Sequence, residues 1–196
     1  MKKIFFTIVL AITTTFSYAT KPHIDNIRVN TNNSTIKWTG SKISDNHEGT
    51  INIDKGMLMI DHGKLVGGQF SINMQSIATT DMSDKYNKKL DGHLKNEDFF
   101  NVVQFPLATI NLTEVIKGAG NSYKIVADLT IKGITHPISF AADIAINGIN
   151  FSATANIKID RTKWDVKYGS GSFVDDLGDK MILDEIVLDV FLLSVK

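Results

Sequence analysis

Much of this chain alternates apolar and polar residues with a period of two, the pattern of a β-strand that buries one face. The clearest runs cover residues 66–75, 122–132, 138–147 and 149–160. Shorter or less regular candidates cover residues 35–39, 50–54, 57–61 and 106–117, and the run 181–195 is apolar on both faces. The pattern therefore predicts eight or nine strands.

Turn-forming residues separate these runs, at positions 54–56, 62–64, 118–121, 132–133 and 147–148. The dipeptide Asn147-Gly148 lies between two alternating runs, which predicts a hairpin with a type I′ turn and positive φ at both central residues. Many strands with short connections are typical of a single mainly β domain, either a barrel or a sandwich.

One segment departs from the alternation. Within residues 81–95, apolar residues recur at every fourth position, at Met82, Tyr86, Leu90 and Leu94. This spacing predicts one helix over about residues 81–95, with Asp81 as its N-cap. A polar stretch that contains the aromatic pair Phe99-Phe100 follows the helix.

The apolar faces of the four clearest strands carry no charged residue and mix bulky side chains, such as Phe70 and Phe140, with small ones, such as Ala127 and Ala153. An eight-stranded barrel is just wide enough to be filled by its own side chains or to hold one small ligand. Small inward residues favour a ligand cavity, whereas close packing of large residues against them would fill the barrel. The pattern alone leaves both arrangements open.

The first residues have the composition of an export signal. Lys2 and Lys3 precede an apolar run over residues 4–16, and Ser17-Tyr18-Ala19 forms a small-x-small cleavage site. The run has 13 residues, four of them threonine, whereas a membrane span needs about 20 apolar residues. We therefore predict a signal peptide over residues 1–19, a domain without a membrane span over residues 20–196, and export to the periplasm, with the extracellular space as the alternative.

Charge and cysteine content exclude several classes of protein. The 21 lysine and arginine residues balance 21 aspartate and glutamate residues, so there is no electrostatic reason to expect nucleic acid as a partner. The chain has no cysteine, which excludes disulfide scaffolds, thiolate metal sites, thiol nucleophiles and cysteine-linked lipids. The oligomeric state is left open, a homodimer included.

No catalytic constellation stands out. The five histidines are scattered, and neither His47-Glu48 nor Asp91-x-His93 has the i, i+4 histidine pair of a zinc protease. We therefore expect no catalytic residue, no metal and no cofactor. Two alternatives stay open: an exported hydrolase or metal-dependent enzyme that uses His47 and His93, and a ligand-free interaction or stress module.

Several segments taken together resemble one protein family. They are His47-Glu48-Gly49-Thr50, Gly67-Gly68-Gln69-Phe70, Leu90-Asp91-Gly92-His93-Leu94 with Asp98-Phe99-Phe100, Phe105-Pro106, the stretch from Leu129 to Ile138, and Asp160-Arg161 with Trp164 and Tyr168-Gly169-Ser170. In order and spacing they resemble the YceI-like family of exported lipid-binding proteins, over residues 34–195. Leu90 is a departure, because many members carry an arginine at this place.

The resemblance implies a lipocalin-like antiparallel β-barrel of about eight strands that carries or stores a polyisoprenoid or similar long apolar lipid in its pore. It implies neither catalytic residues nor a metal. We predict that six strand residues line the pore and that Phe99 and Phe100 help to close one mouth. The six are Phe70, Ile72, Leu129, Phe140, Phe151 and Ile157. Asp91, His93 and Arg161 are predicted to be structural hydrogen-bonding groups near that mouth.

Overall fold

The computed structural model describes residues 23–195, so the predicted signal peptide lies outside the described residues. The strands are β1 (Ile24–Arg28), β2 (Thr35–Lys42), β3 (Asn46–Asp61), β4 (Lys64–Thr79), β5 (Leu107–Lys117), β6 (Ser122–Ile131), β7 (Ile134–Asn147), β8 (Asn150–Asp160) and β9 (Ile182–Leu193). One α-helix, α1 (Asp84–Lys95), follows β4, and two short 3-10 turns cover Arg161–Trp164 and Gly178–Lys180.

Eight of these strands close into a barrel. Neighbours follow the order β3-β2-β9-β8-β7-β6-β5-β4, and β4 pairs again with β3. Every pair in this ring is antiparallel. The ninth strand, β1, pairs with the last part of β3, from Ile24 opposite Asp61 to Arg28 opposite Met57. The prediction of a mainly β, lipocalin-like barrel of about eight strands with one helix is confirmed.

The two ends of the barrel differ. We call the end that carries α1 the upper end. The β2–β3 connection and residues 161–181 lie there too, because β2, β4 and β8 all run towards it. The lower end carries β1 and the β3–β4, β5–β6 and β7–β8 hairpins. Among residues 23–195, no helix has the length and hydropathy that a membrane crossing requires.

Each end is packed with buried apolar side chains. At the lower end, Leu58 and Tyr123 are each 2% exposed and belong to a cluster that also contains Phe151. At the upper end, Leu94 and Phe99 pack with Trp164. Because alternate strand residues face the interior, the two clusters are the ends of one column of inward side chains.

Two of the predicted strands form a single strand. β3 runs unbroken from Asn46 to Asp61, and its register against β4 shifts between Ile53 and Lys55. The prediction of a turn at residues 54–56 is therefore wrong, because a short polar segment with glycine fits a β-bulge as well as a turn. β1 was missed because only Ile27 of its five residues is buried, which leaves no alternation to detect.

A second irregularity in the pairing of β3 with β4 reverses which residues of β4 face the interior. Met59 lies opposite Gly67 while Ile60 lies opposite Leu65, so Val66 is the additional residue of a bulge. Leu65 is buried and Val66 is 47% exposed. The alternation placed Val66 on the buried face, and this prediction is wrong because a bulge shifts the phase of the strand by one residue.

The helix is shorter than predicted. α1 begins at Asp84 with Ser83 at the N-cap position, so the N-cap prediction at Asp81 is wrong. Leu94 is buried, but Tyr86 of the predicted apolar stripe is exposed. The helix therefore contributes mainly its last turn to the core.

The β7–β8 hairpin is present, but its turn differs from the prediction. Asn147 pairs with Asn150, so Gly148 and Ile149 are the central residues. Only Gly148 has a positive φ, of 58°. The type I′ turn is therefore wrong, because Asn147 is the last strand residue rather than a turn residue.

Candidate functional site

The barrel interior is hollow between the two packed ends. An upper chamber of about 1120 Å³ and a lower chamber of about 850 Å³ occupy it, each counted with the solvent space at its openings. Both chambers are lined by Ile36, Ile72, Leu129 and Leu188. These shared residues show that the two chambers adjoin each other within the barrel interior.

The pore wall is apolar along most of its length. The lower chamber is lined almost wholly by aliphatic and aromatic side chains from β2 to β9, including Ile53, Phe70, Ile110, Phe140 and Val190. Several of these inward side chains are only partly buried, although they lie within the barrel wall. Their residual exposure is to the pore.

Most of the predicted pore residues line these chambers. Phe70, Phe140 and Ile157 line the lower chamber, and Ile72 and Leu129 line both. Their positions follow from the regular alternation of β4, β6, β7 and β8.

Phe151 is placed differently from the other predicted residues. It is buried in the lower cluster, and neither chamber has it among its lining residues. The alternation places Phe151 correctly on the inner face, but it cannot show that β1 and the β3–β4 hairpin fill the lower end beside it.

Phe99 and Phe100 both line the upper chamber. Their ring centroids are 5.1 Å apart at an angle of 70°, an edge-to-face contact. Phe99 is buried, and its ring lies 5.6 Å from the guanidinium carbon of Arg161. The pair therefore forms part of the cover at the upper end.

Arg161 is held entirely by the protein. Its Nη1 donates to the carbonyl oxygen of Val166 at 2.6 Å, Nη2 to that of Ile182 at 3.0 Å, and Nε to that of Leu183 at 3.1 Å. Nη2 also lies 3.5 Å from a carboxylate oxygen of Asp184. The side chain is 1% exposed, so the guanidinium fastens the loop before β9 to the barrel, as predicted for a structural group.

Burial and charge act against each other around this guanidinium. Burial lowers the pKa of Arg161, while the charges of Asp184 and Asp160 oppose that shift. At Asp184, burial acts to raise the pKa, but hydrogen bonds from Ser172 and Ser170 and the charge of Arg161 outweigh it, so the pKa lies below its ordinary 3.8. Asp184 is thus held as a carboxylate.

Asp91 also has a structural role. One of its carboxylate oxygens accepts hydrogen bonds from the backbone N–H and the hydroxyl of Thr79, both at 2.7 Å. These bonds fasten α1 to the end of β4. The preceding residue, Leu90, lines the upper chamber, so an apolar side chain borders the pore there.

The two histidines of the enzyme alternative lie at the upper chamber but do not form a catalytic group with each other. His47 Nδ1 is 2.9 Å from Asp81 Oδ2. His93 makes edge contacts with the rings of Tyr168, at 4.4 Å, and Phe99, at 5.6 Å. Within residues 23–195, no three histidine, aspartate or glutamate side chains are grouped closely enough to hold one metal ion.

Among the described residues, the charged side chains and histidines that line the pore lie at the upper chamber. Ser41, Lys42 and His47 lie there, at the ends of β2 and β3. Arg161 and His93 also border it, but Arg161 is fully engaged with backbone carbonyls. The pore therefore has a polar mouth and an apolar interior.

Other lining residues, mainly on β2 and β9, were not predicted from the sequence. Trp38, Met74 and Leu188 line the upper chamber. Trp38 lies in a candidate strand that is too short for a clear alternation, and β9 is apolar on both faces. In neither strand does the pattern show which residues face the interior. A tryptophan opposite a glycine was the available signal, since the ring of Trp38 lies within 2.4 Å of where a Cβ on Gly49 would be.

Comparisons with known proteins agree with this architecture. Residues 28–192 match the family model of the YceI-like domain. A UPF0312 protein of Yersinia pestis is 32% identical over 91 residues, which cover 42% of this chain and 47% of that protein. The chain thus spans about half the length of the curated relatives that it matches.

Two solved structures share the fold. BcnA of Burkholderia cenocepacia has a TM-score of 0.70 at 22% identity, over 85% of this chain and 99% of that one. A polyisoprenoid binding domain from Saccharophagus degradans, implicated in plant cell wall breakdown, has a TM-score of 0.61 at 14% identity, over 88% and 98% of the two chains. At these identities, the likeness establishes the fold.

Proposed function

The chain belongs to the YceI-like domain family, and from this premise we propose that it binds one long apolar chain in its pore, as a non-catalytic carrier or store. A polyisoprenoid or a similar lipid is the ligand class that we favour. The observation that carries the proposal is the continuous apolar pore, whose two chambers share Ile36, Ile72, Leu129 and Leu188.

The dimensions and chemistry of the pore suit such a ligand. A chain of about 35 carbons held at ~0.3 kcal/mol per heavy atom would bind with about 10 kcal/mol, a Kd of roughly tens of nanomolar. The apolar part would lie between Phe70, Leu129 and Phe140. Any polar end would lie at the mouth, beside Ser41 and Lys42.

The fold neighbours support the choice of ligand. The Saccharophagus degradans domain is described as polyisoprenoid-binding, and its barrel resembles this one. Together with the apolar pore, this favours a polyisoprenoid over a small polar metabolite. The pore residues that we propose to touch the ligand are Phe70, Ile72, Phe99, Phe100, Leu129, Phe140 and Ile157. Phe151 would act from the packed lower end.

The proposed location follows from the predicted signal peptide. A long isoprenoid chain is nearly insoluble in water because it exposes a large apolar area. A protein exported to the periplasm, or beyond it, that shields this chain would let it cross an aqueous space. This gives the barrel a use that needs no catalytic group.

The test is to identify what the protein holds. We would purify it from its native envelope, extract it with organic solvent and analyse the extract by mass spectrometry, with metal analysis in parallel. The expected result is a long-chain lipid in near-stoichiometric amount. Protein that is always empty and also fails to bind solanesol would overturn the proposal. A stoichiometric metal that is lost in His93→Ala would favour the enzyme alternative instead.

A further inference from the structure

The barrel wall is interrupted between β7 and β8. The two strands pair only from Asn147 opposite Asn150 up to Ala142 opposite Ala155. Above this rung, residues 134–141 of β7 pair with β6, and residues 156–160 of β8 pair with β9. We call the unpaired stretch between residues 134–141 and 156–160 the β7–β8 seam.

Each side of the seam is tied to its outer neighbour. On β8, Asn156 Nδ2 donates to Asp189 Oδ1 at 2.7 Å, and Lys158 Nζ lies 3.0 Å from Glu185 Oε1. On β7, the hydroxyls of Thr135 and Thr130 lie 2.8 Å apart. Between residues 134–141 and 156–160, no side-chain hydrogen bond or ion pair of the described chain crosses the seam. The seam can therefore widen without breaking these bonds.

The seam is bounded above by an aromatic contact. The rings of His136 and Trp164 meet edge to face, with centroids 5.5 Å apart, and Trp164 also donates to the carbonyl oxygen of Leu129. Below, the Ala142–Ala155 rung ends the paired part of the wall. The unpaired stretch thus ends at the His136–Trp164 contact above and at the Ala142–Ala155 pair below.

An outer groove reaches the pore at the lower edge of the seam. The groove is lined by Ser122, Ala141, Ala142, Asp143, Thr154, Ala155, Asn156, Asp189 and Val190. Four of these residues, namely Ala142, Thr154, Ala155 and Val190, also line the lower chamber. The wall between the groove and the chamber is therefore made of the small residues Ala142, Thr154, Ala155 and Val190, which leave little to block a passage.

Two other parts of the lower barrel are closed by side chains. The lower end itself is closed by Leu58, Tyr123 and Phe151, each 4% exposed or less. β4 and β5 also separate below Gln69 and Asn111, but there the space beside Gly68 is occupied by the side chains of Leu58 and Leu112, 3.0 and 3.1 Å from where its Cβ would be. A chain that enters from the upper mouth therefore meets packed side chains at the lower end and beside Gly68, whereas the β7–β8 seam adjoins an outer groove.

We infer that the β7–β8 seam is a side opening through which the far end of a ligand longer than the pore leaves the barrel. This inference rests on the proposed function. Asp143 and Asp189 border the groove, so its rim disfavours an anionic group, and the emerging segment is an uncharged hydrocarbon tail. The side opening lets one barrel accept chains of different length while the polar end stays at the upper mouth.

A disulfide across the seam tests this inference, because the chain has no cysteine of its own. Ala141→Cys with Asn156→Cys would join the two strands at the first rung above the last paired one, Ala142 opposite Ala155. Formation of this disulfide requires that the two Cα atoms come within about 7 Å of each other. Ala145→Cys with Ser152→Cys is the matched control, because these residues are paired on the same two strands and lie outside the groove. Binding of farnesol, a short polyisoprenoid alcohol, and solanesol, a long one, is measured before and after reduction.

The expected result depends on chain length. The oxidised Ala141→Cys/Asn156→Cys variant should bind solanesol at least about tenfold more weakly, equivalent to ~1.4 kcal/mol, and farnesol about as well as the unmodified protein. Reduction should restore solanesol binding, and the control disulfide should change neither. Unchanged solanesol binding in the oxidised variant would overturn the side opening but not the proposed function. If the unmodified protein binds neither alcohol, the proposed function fails and the side opening with it.

A single substitution gives a second readout that needs no disulfide. Ala155→Cys places a thiol at the last paired rung, at the lower edge of the seam. Ala153→Cys places one two positions lower, where the native residue is 6% exposed. A water-soluble maleimide should label Ala155→Cys in empty protein, and solanesol should protect this thiol more strongly than farnesol does. Ala153→Cys should stay poorly reactive throughout. Equal protection of Ala155→Cys by both alcohols would count against an emerging tail.

Discussion

The indole Nε1 of Trp164 donates a hydrogen bond to the backbone carbonyl oxygen of Leu129, 3.0 Å away. The bond joins the 3-10 turn after β8 to the upper part of β6, the strand on the far side of β7. Trp164 is 1% exposed, so its loss leaves a polar atom short of a partner and a space in the upper cluster.

Replacing this tryptophan should therefore destabilise the barrel in two steps. Trp164→Phe keeps a ring but removes the donor, and we expect it to lower the free energy of unfolding by about 1–3 kcal/mol. Trp164→Ala also removes the buried ring and should cost about 3–5 kcal/mol. Urea unfolding followed by circular dichroism measures both. A Trp164→Phe variant as stable as the native protein would contradict a role for the hydrogen bond.

Two alanines on β6 and β8, which both pair with β7, should respond in opposite ways to enlargement. Ala153 lines the lower chamber, whereas Ala127 is fully buried and lines neither chamber. Ala153→Phe should therefore block solanesol binding with little change in stability. Ala127→Phe should cost about 1–3 kcal/mol of unfolding free energy through overpacking.

Binding titrations and urea unfolding on the same two variants check this pair. If Ala153→Phe is the more destabilised variant, the lower chamber is filled at that position. If Ala153→Phe binds solanesol normally, the ligand does not extend past β8 at this level.

The Asp184 carboxyl should make the fold sensitive to acid. Its pKa in the folded protein lies below the ordinary 3.8, so the folded state binds its proton less readily than the unfolded state does. The resulting stabilisation is fully present above the unfolded pKa and is lost as the pH falls through the lower folded pKa.

Asp184→Asn should therefore weaken the loss of thermal stability below pH 3.8. Tm measured in steps from about pH 5 downwards gives the comparison. Asp54→Asn, at an exposed position of β3, is the control and should keep the slope of the native protein. An unchanged slope in Asp184→Asn would show that other carboxyls dominate acid unfolding.

Two glycines should give opposite effects when a methyl group is added. A Cβ at Gly49 would lie 2.1 Å from the carbonyl oxygen of Ala78 and 2.4 Å from the Trp38 ring, whereas a Cβ at Gly92 in α1 would meet nothing within 4 Å. Gly49→Ala should lower Tm clearly because it displaces the tryptophan that lines the upper chamber. Gly92→Ala should raise stability by about 0.5–1 kcal/mol, since alanine is the better helix former. Thermal unfolding of both variants measures these effects. A higher Tm for Gly49→Ala than for the native protein would contradict the prediction.

Alternation predicted the architecture because a barrel imposes one inward face on every regular strand. Phe70, Leu129 and Phe140 were placed on that face by spacing alone. The same logic failed at Val66, where one added residue reverses the phase, and at β1, where five residues bury only Ile27. Bulges and edge strands depend on the partner strand, which a single sequence does not specify.

The alternation of apolar and polar residues could not predict which inward side chains line the pore. Ala127 and Ala153 occupy equivalent inward positions in the sequence, yet only Ala153 lines a chamber. The difference comes from which large side chains lie opposite each alanine, and that requires the register of all eight strands. The β7–β8 seam has the same origin, because residues 134–141 and 156–160 alternate as regularly as the paired parts of their strands.

The pairing of Val29 with Ser194 has a practical consequence for assays. It places both ends of the described chain at the packed lower end of the barrel, away from Lys42 and α1. A surface tether or a reporter joined after the last residue would therefore leave the upper mouth facing the solution. Immobilised protein oriented in this way can receive ligand from a donor particle, which makes the rate of transfer measurable on a sensor surface.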